Sequence, residues 1–174
     1  MIDLTIMTII VYLLANSFTY YRSNCNEKPL KDFMHDILPN WAKYVHIRDV
    51  ILLLFFLPVL LVKNKFQFAL EVWEIFMIIV ALKSICIVFT QVPSSFPYCH
   101  DIQYINHCFH QSISAHASLC LILAFMYKEY GIVNNYVYLF VALYCLLILA
   151  TRAHNSIDII QGITISLLLC LTKT

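Results

Sequence analysis

In the stretch RAHNSIDIIQG, residues 152–162, a histidine and an aspartate stand four positions apart at the head of an apolar run. If a helix has begun by His154, residues i and i+4 share one face. The Asp158 carboxylate then accepts a hydrogen bond from one imidazole nitrogen and leaves the lone pair of the other free. A histidine held in this way is oriented and made a better nucleophile. A second histidine, His116 in SISAHAS, precedes ASLCLILAFMY and so belongs to the first turns of another hydrophobic segment. Two histidines facing each other suit a double displacement, one as nucleophile and the other as acid, then base. Arg152 and Lys83 add positive charge. Lys83 lies between IIVAL and SICIVF, where an unpaired ammonium costs about 2.5–3.5 kcal/mol on insertion scales. It therefore requires an acid or a phosphate as partner.

Blander readings compete with this one. An isolated His-x-x-x-Asp is more often a surface pair than a catalytic dyad, and histidine prefers interfaces and loops to hydrocarbon. That preference accounts for the loop histidines but poorly for His116, since ionisable groups inside apolar segments are rare. A metal site is the competing chemistry: His107 and His110, at i and i+3, could join His100. Without a Cys or Glu framework these make a weak ligand set, so the expectation is a site with neither metal nor cofactor.

The elements that position these residues follow from composition. Of 174 residues, 61% are hydrophobic and 12% charged, and the mean hydropathy is +0.79; soluble domains carry about 25% charge. The chain reads as an integral membrane protein. Two glycines and the lack of dyad alternation favour helices over a barrel. The net charge is +1, with eleven scattered Lys and Arg, so no footprint for nucleic acid and no polybasic anchor is present. Cys86, Cys120, Cys145 and Cys170 lie in apolar runs and read as small hydrophobes. Cys25, Cys99 and Cys108 lie in polar connectors, where a pair could oxidise if that side faces a lumen.

The expected fold is all-α, a single domain over residues 1–174 with six transmembrane helices, at about 2–20, 41–62, 66–89, 112–127, 136–150 and 157–171. The first lacks the charge and cleavage site of a signal peptide and reads as retained. Pro58 is expected as a tolerated kink. Six spans place both termini on one side. All seven histidines, His35, His46, His100, His107, His110, His116 and His154, fall on or near the other. Antiparallel packing of spans four and six is expected to bring His116 and His154 to one depth. The distribution of Lys and Arg leaves the orientation open.

Four segments, in order, resemble the sphingomyelin synthase family within the lipid phosphate phosphatases and phosphotransferases. KPLKDFMHDILPNW resembles that family's P-L-P-D-x-x-x-D-x-x-P element at Pro29, Leu30, Asp32, Asp36 and Pro39. LKSICIVFTQVPSSFPYC is similar to its third span at Lys83, Thr90 and Pro93, and CFHQSISAHA to C-G-D-x-x-x-S-G-H-T at Cys108, Ser114 and His116. HNSID resembles H-Y-T-x-D at His154 and Asp158.

The resemblance implies a catalytic triad of His116, His154 and Asp158. His154 would attack the phosphorus of a phospholipid headgroup and His116 would protonate the departing diacylglycerol. A ceramide or diacylglycerol acceptor would then take the headgroup from phosphohistidine. Ser114, Asp32 and Asp36 are the matching substrate-binding candidates, beside Arg152 and Lys83. The implied setting is a Golgi, ER or plasma membrane, with the site on the luminal or exoplasmic face and no soluble cofactor; a homo-oligomer is compatible with it.

TRAHNSIDIIQG and FTQVP also resemble the plant phosphatidylcholine:diacylglycerol cholinephosphotransferases. The same site with water as acceptor would make a lipid phosphate phosphatase, and a drifted, non-catalytic lipid-binding protein is the third reading. Departures from the family pattern are Ala115 for Gly, Ala117 for Thr, Asn155 for Tyr, and Phe109 and His110 for Gly-Asp. Ala115 is tolerable unless its backbone needs positive φ.

Overall fold

The computed structural model describes residues 2–22, 31–89 and 112–173. These residues form seven α-helices and no strand. They are α1 (Ile2–Arg22), α2 (Phe33–Ile37), α3 (Val45–Phe55), α4 (Lys65–Phe89), α5 (Ala115–Glu129), α6 (Val137–Ala150) and α7 (Ser156–Leu171). Short 3-10 segments, Ala42–Tyr44 and Leu57–Leu61, extend α3 at both ends. Pro58 falls in the second, where the chain tightens out of α geometry because proline supplies no N–H to the helix ladder.

The centre of the bundle is α5, in which every residue from Ala117 to Tyr127 except Leu119 is buried. A helix apolar on all sides belongs in a core, and α5 packs against α3, α4, α6 and α7. Ser114 caps it by accepting the Ala117 N–H at 3.3 Å. At the other end Gly131 adopts φ +67, the left-handed conformation that commonly stops a helix. The Tyr127 hydroxyl is buried and donates to the Phe55 carbonyl at 2.8 Å, tying α5 to α3.

Helices α5 and α7 run parallel and in register. Ser114 N donates to Asp158 O at 3.0 Å, and one turn later Ser118 Oγ donates to Gly162 O at 3.2 Å. This corrects the antiparallel arrangement expected for these two segments: a single helix between them, α6, reverses the chain twice. The expected consequence survives, because parallel helices in register place His116 and His154 at one end. Gly162 makes the close approach possible: a Cβ there would stand 2.8 Å from Ser114 O and 2.9 Å from Ser118 Oγ.

The remaining helices surround this pair. α1 packs on α4, and the Trp73 indole donates to Thr5 Oγ1 at 3.0 Å. Outward faces carry exposed Leu13, Leu53, Ile85, Leu143 and Leu168. Ala42–Leu61 and Lys65–Phe89 are long and apolar enough to cross a membrane by length and composition. α6 and α7, apolar but 14 and 16 residues long, measure about 21 and 24 Å at 1.5 Å per residue, short of a hydrocarbon core ~30 Å thick. The helices thus fall close to the six expected segments, while among the described residues two meet the criterion of length and composition for a span. The short α2 was not foreseen; Asp32 caps it by accepting from Met34 N at 2.9 Å. Cys120, Cys145 and Cys170 are free thiols; Cys25, Cys99 and Cys108 lie outside the described residues.

Candidate functional site

The turn between α6 and α7 builds half of the site. α6 ends with Arg152 N bonded to Leu149 O and Ala153 N to Ile148 O, around an Arg152 with φ 59. This is the position glycine usually takes after a helix, and a non-glycine residue there stores of order 1–3 kcal/mol of strain. Only 9% of the Arg152 surface is exposed. Nη2 donates to Leu38 O at 3.1 Å.

Two residues on, His154 Nδ1 lies 3.3 Å from Asp158 Oδ2. The same oxygen accepts the Asn155 N–H at 3.1 Å, so Asp158 closes the first turn of α7 from its third position while holding the histidine. His154 and Asp158 are both buried. With Nδ1 engaged by a carboxylate, the acceptor nitrogen of a neutral His154 is Nε2.

His116, in the first turn of α5, contributes the other half. Its ring faces that of His154 with centroids 6.4 Å apart and planes inclined by 58°. Its Nε2 bonds to Asp49 Oδ1 at 3.0 Å, and the same carboxylate oxygen takes Arg48 Nε at 3.1 Å. The sequence reading overlooked both residues, although RD at 48–49 at the head of VILLLFF is an ionisable pair inside an apolar segment, the signal that singled out Lys83. Lys83 is half-buried and lies within electrostatic range of Asp158 and Arg48; Asp158 is thus the acid its position requires.

Residues 31–44 strap this turn down. Trp41 N donates to Ala150 O, Arg152 to Leu38 O, His35 Nε2 to His154 O at 3.0 Å, and the Ser156 hydroxyl to Asp32 Oδ1 at 2.7 Å. Ser156 N also donates to Asp32 Oδ2. Burial opposes ionisation of Asp32, but the Ser156 and Met34 donors and nearby His35 outweigh it and hold the carboxyl below its usual range. Burial is also the main reason His35 is harder to protonate than a free imidazole; Arg152 adds to it, against the pull of Asp32.

The expected site residues therefore divide. His116, His154, Asp158, Arg152 and Lys83 meet at one end of the bundle. Asp32 reaches the site through Ser156. Ser114 is buried and caps α5 beneath His116. Asp36 is exposed on α2, away from these groups. His100, His107 and His110, the metal alternative, lie outside the described residues, as do Pro29, Leu30, Thr90, Pro93 and Cys108; among the described residues no three His, Cys, Asp or Glu side chains gather as metal ligands. Ala115 opens α5 without positive φ, so its extra methyl imposes no backbone strain.

The chain matches no protein-family profile, no characterised protein and no solved structure. The family resemblance therefore rests on the short motifs alone.

Proposed function

We propose that the chain is an integral membrane phosphotransferase that moves a phosphocholine-type headgroup from a glycerophospholipid to a lipid alcohol, ceramide being the leading acceptor and diacylglycerol the other. The observation that carries this reading is the opposed pair of imidazoles, 6.4 Å apart, with His154 held by Asp158. The exposed leucines and isoleucines around the bundle support a lipid environment. In this reading all six long helices lie in the bilayer and the shorter ones are accommodated by local thinning.

In the first half-reaction the His154 Nε2 lone pair forms a bond to phosphorus as the bond to the diacylglycerol oxygen breaks. His116 gives that oxygen a proton. In the second, the acceptor hydroxyl returns a proton to His116, its oxygen bonds to phosphorus, and the N–P bond breaks. Arg152 and Lys83 offset the charge that gathers on the phosphoryl oxygens.

The test is headgroup transfer in liposomes carrying fluorescent ceramide or fluorescent diacylglycerol, with phosphatidylcholine or phosphatidylethanolamine as donor. The expected result is a product that disappears in His154→Ala and whose mobility identifies headgroup and acceptor. Histidine-dependent headgroup release without an acceptor would replace the transferase by a phosphatase. No product from the folded, inserted protein would sink the reading.

A further inference from the structure

We propose that Asp49, braced by Arg48, is the positioning residue of His116, and that it assigns proton transfer in this site to the Nδ1 atom of that ring. The inference rests on the phosphotransferase reading and adds a residue from α3 to a site otherwise drawn from α4, α5, α7 and the turn between α6 and α7.

The geometry is that of a shared acceptor. One oxygen, Asp49 Oδ1, lies 3.0 Å from His116 Nε2 and 3.1 Å from Arg48 Nε. Arg48 is fixed in turn: its carbonyl accepts the Tyr144 hydroxyl at 3.1 Å, joining α3 to α6 at this level. Its side chain is 18% exposed, against 47% for Asp49. The carboxylate is thus held by a partly buried guanidinium while keeping one edge toward the His116 ring. Among the described residues Asp49 is the acid bonded to His116; the other charges acting on that ring are Arg48, His154 and Lys83.

An ionised carboxylate only accepts hydrogen bonds. The proton of the neutral His116 ring therefore stays on Nε2, against Asp49, and Nδ1 is the atom that gains and loses the transferred proton. The two histidines are used in opposite senses: His154 is held through Nδ1 and attacks through Nε2, whereas His116 is held through Nε2 and exchanges through Nδ1. In the first half-reaction the proton leaves His116 Nδ1 for the glyceride oxygen as its bond to phosphorus breaks. In the second, the acceptor hydroxyl proton returns to Nδ1 as the new O–P bond forms and the electron pair of the N–P bond returns to His154. Asp49 neither gains nor loses a proton.

The experiment compares the parent with Asp49→Asn, Asp49→Glu, Arg48→Lys and His116→Ala on two donors. Phosphatidylcholine has an alkoxide leaving group that needs an acid. p-Nitrophenyl phosphocholine has a phenolate that leaves without one. Asp49→Asn is expected to slow transfer from phosphatidylcholine by about 30-fold or more, a share of the roughly 10²–10⁴-fold that general acid catalysis supplies, and to slow the first-turnover burst of p-nitrophenol, which precedes the half-reaction that needs His116 as base, by less than about 3-fold. His116→Ala shows the same contrast more deeply, Asp49→Glu recovers part of the lipid reaction, and Arg48→Lys gives a weaker copy of Asp49→Asn.

Equal losses on both donors, or no loss on either, overturn the assignment while leaving the phosphotransferase standing. A parent whose activity is unchanged by His154→Ala overturns that reading instead, and the assignment with it. If Asp49→Asn does not fold, Arg48→Lys carries the same comparison.

Discussion

Replacing Gly162 by alanine tests the close contact on which the site depends. The added Cβ would stand 2.8 Å from Ser114 O and 2.9 Å from Ser118 Oγ, whereas ordinary contact begins at 3.4 Å. The helices must therefore part by several tenths of an ångström, since the Ser114 carbonyl is backbone and cannot swing away. Overpacking of this kind costs about 1–3 kcal/mol. Alanine in a helix interior returns about 0.8–1 kcal/mol over glycine, which leaves a net loss of roughly 1–2 kcal/mol when the contact cost lies in the upper half of that range. The displaced groups are Ser114, which starts α5 two residues before His116, and Asp158, whose carbonyl accepts from Ser114 N. Activity should fall further than stability, because a shift of this size at a reacting pair is felt strongly in the rate. Thermal unfolding in detergent and headgroup transfer measure the two. Adding Ser118→Ala removes the 2.9 Å contact but not the 2.8 Å one, and it also sacrifices the Ser118 hydrogen bond to Gly162 O, so it should restore less than half of the lost stability. A Gly162→Ala protein as stable and active as the parent would refute the parallel, in-register contact.

Tyr127→Phe removes the donor to the half-buried Phe55 carbonyl and should cost about 0.5–1.5 kcal/mol in denaturant unfolding; Tyr136→Phe, at an exposed position, should change nothing measurable. The strap over the α6–α7 turn should loosen on acidification. His35 is harder to protonate folded than free, so its share of stability is lost as pH falls from about 6.5. The lowered Asp32 has a share present above its unfolded value near 4 and lost as pH falls through its folded one. Hydrogen exchange over 31–41, corrected for intrinsic rates, should rise in those two windows, and Asp32→Asn should remove the lower one at a cost below about 1 kcal/mol for a partly solvated group. Arg152→Gly relieves the left-handed backbone and should leave the melting temperature within a few degrees of the parent while lowering transfer; Arg152→Ala should lower both.

Much of this arrangement is legible in the residues. The helices fall where the apolar runs are, because burial of such runs dominates local preference. The His154 and Asp158 pair follows from a spacing of four, and Lys83 stood out as a cation that had to have an acid nearby. What could not be read was pairing across long separations. Asp49 meets His116 across 67 residues and His35 meets the His154 carbonyl across 119, and no periodicity encodes such contacts. The parallel direction of α5 and α7 comes from the two chain reversals around α6, which the depth of the two histidines by itself does not display. Six spans were expected from hydropathy, yet α6 and α7 are shorter than a bilayer's hydrocarbon thickness, a matter of length that composition conceals. Arg152 carried no signal of its left-handed backbone, since arginine rarely adopts it.

The first helix rests chiefly on α4, with the Trp73 indole joined to Thr5 as its polar link, and among the described residues none of the groups gathered around His154 comes from it. Residues 1–22 and the chain from 31 onward, produced as separate polypeptides, should therefore reunite along α4, and a reporter attached to the first fragment should leave transfer unchanged. α1 is accordingly the part of the molecule most open to exchange, loss or labelling without disturbing what lies at the other helices' meeting point.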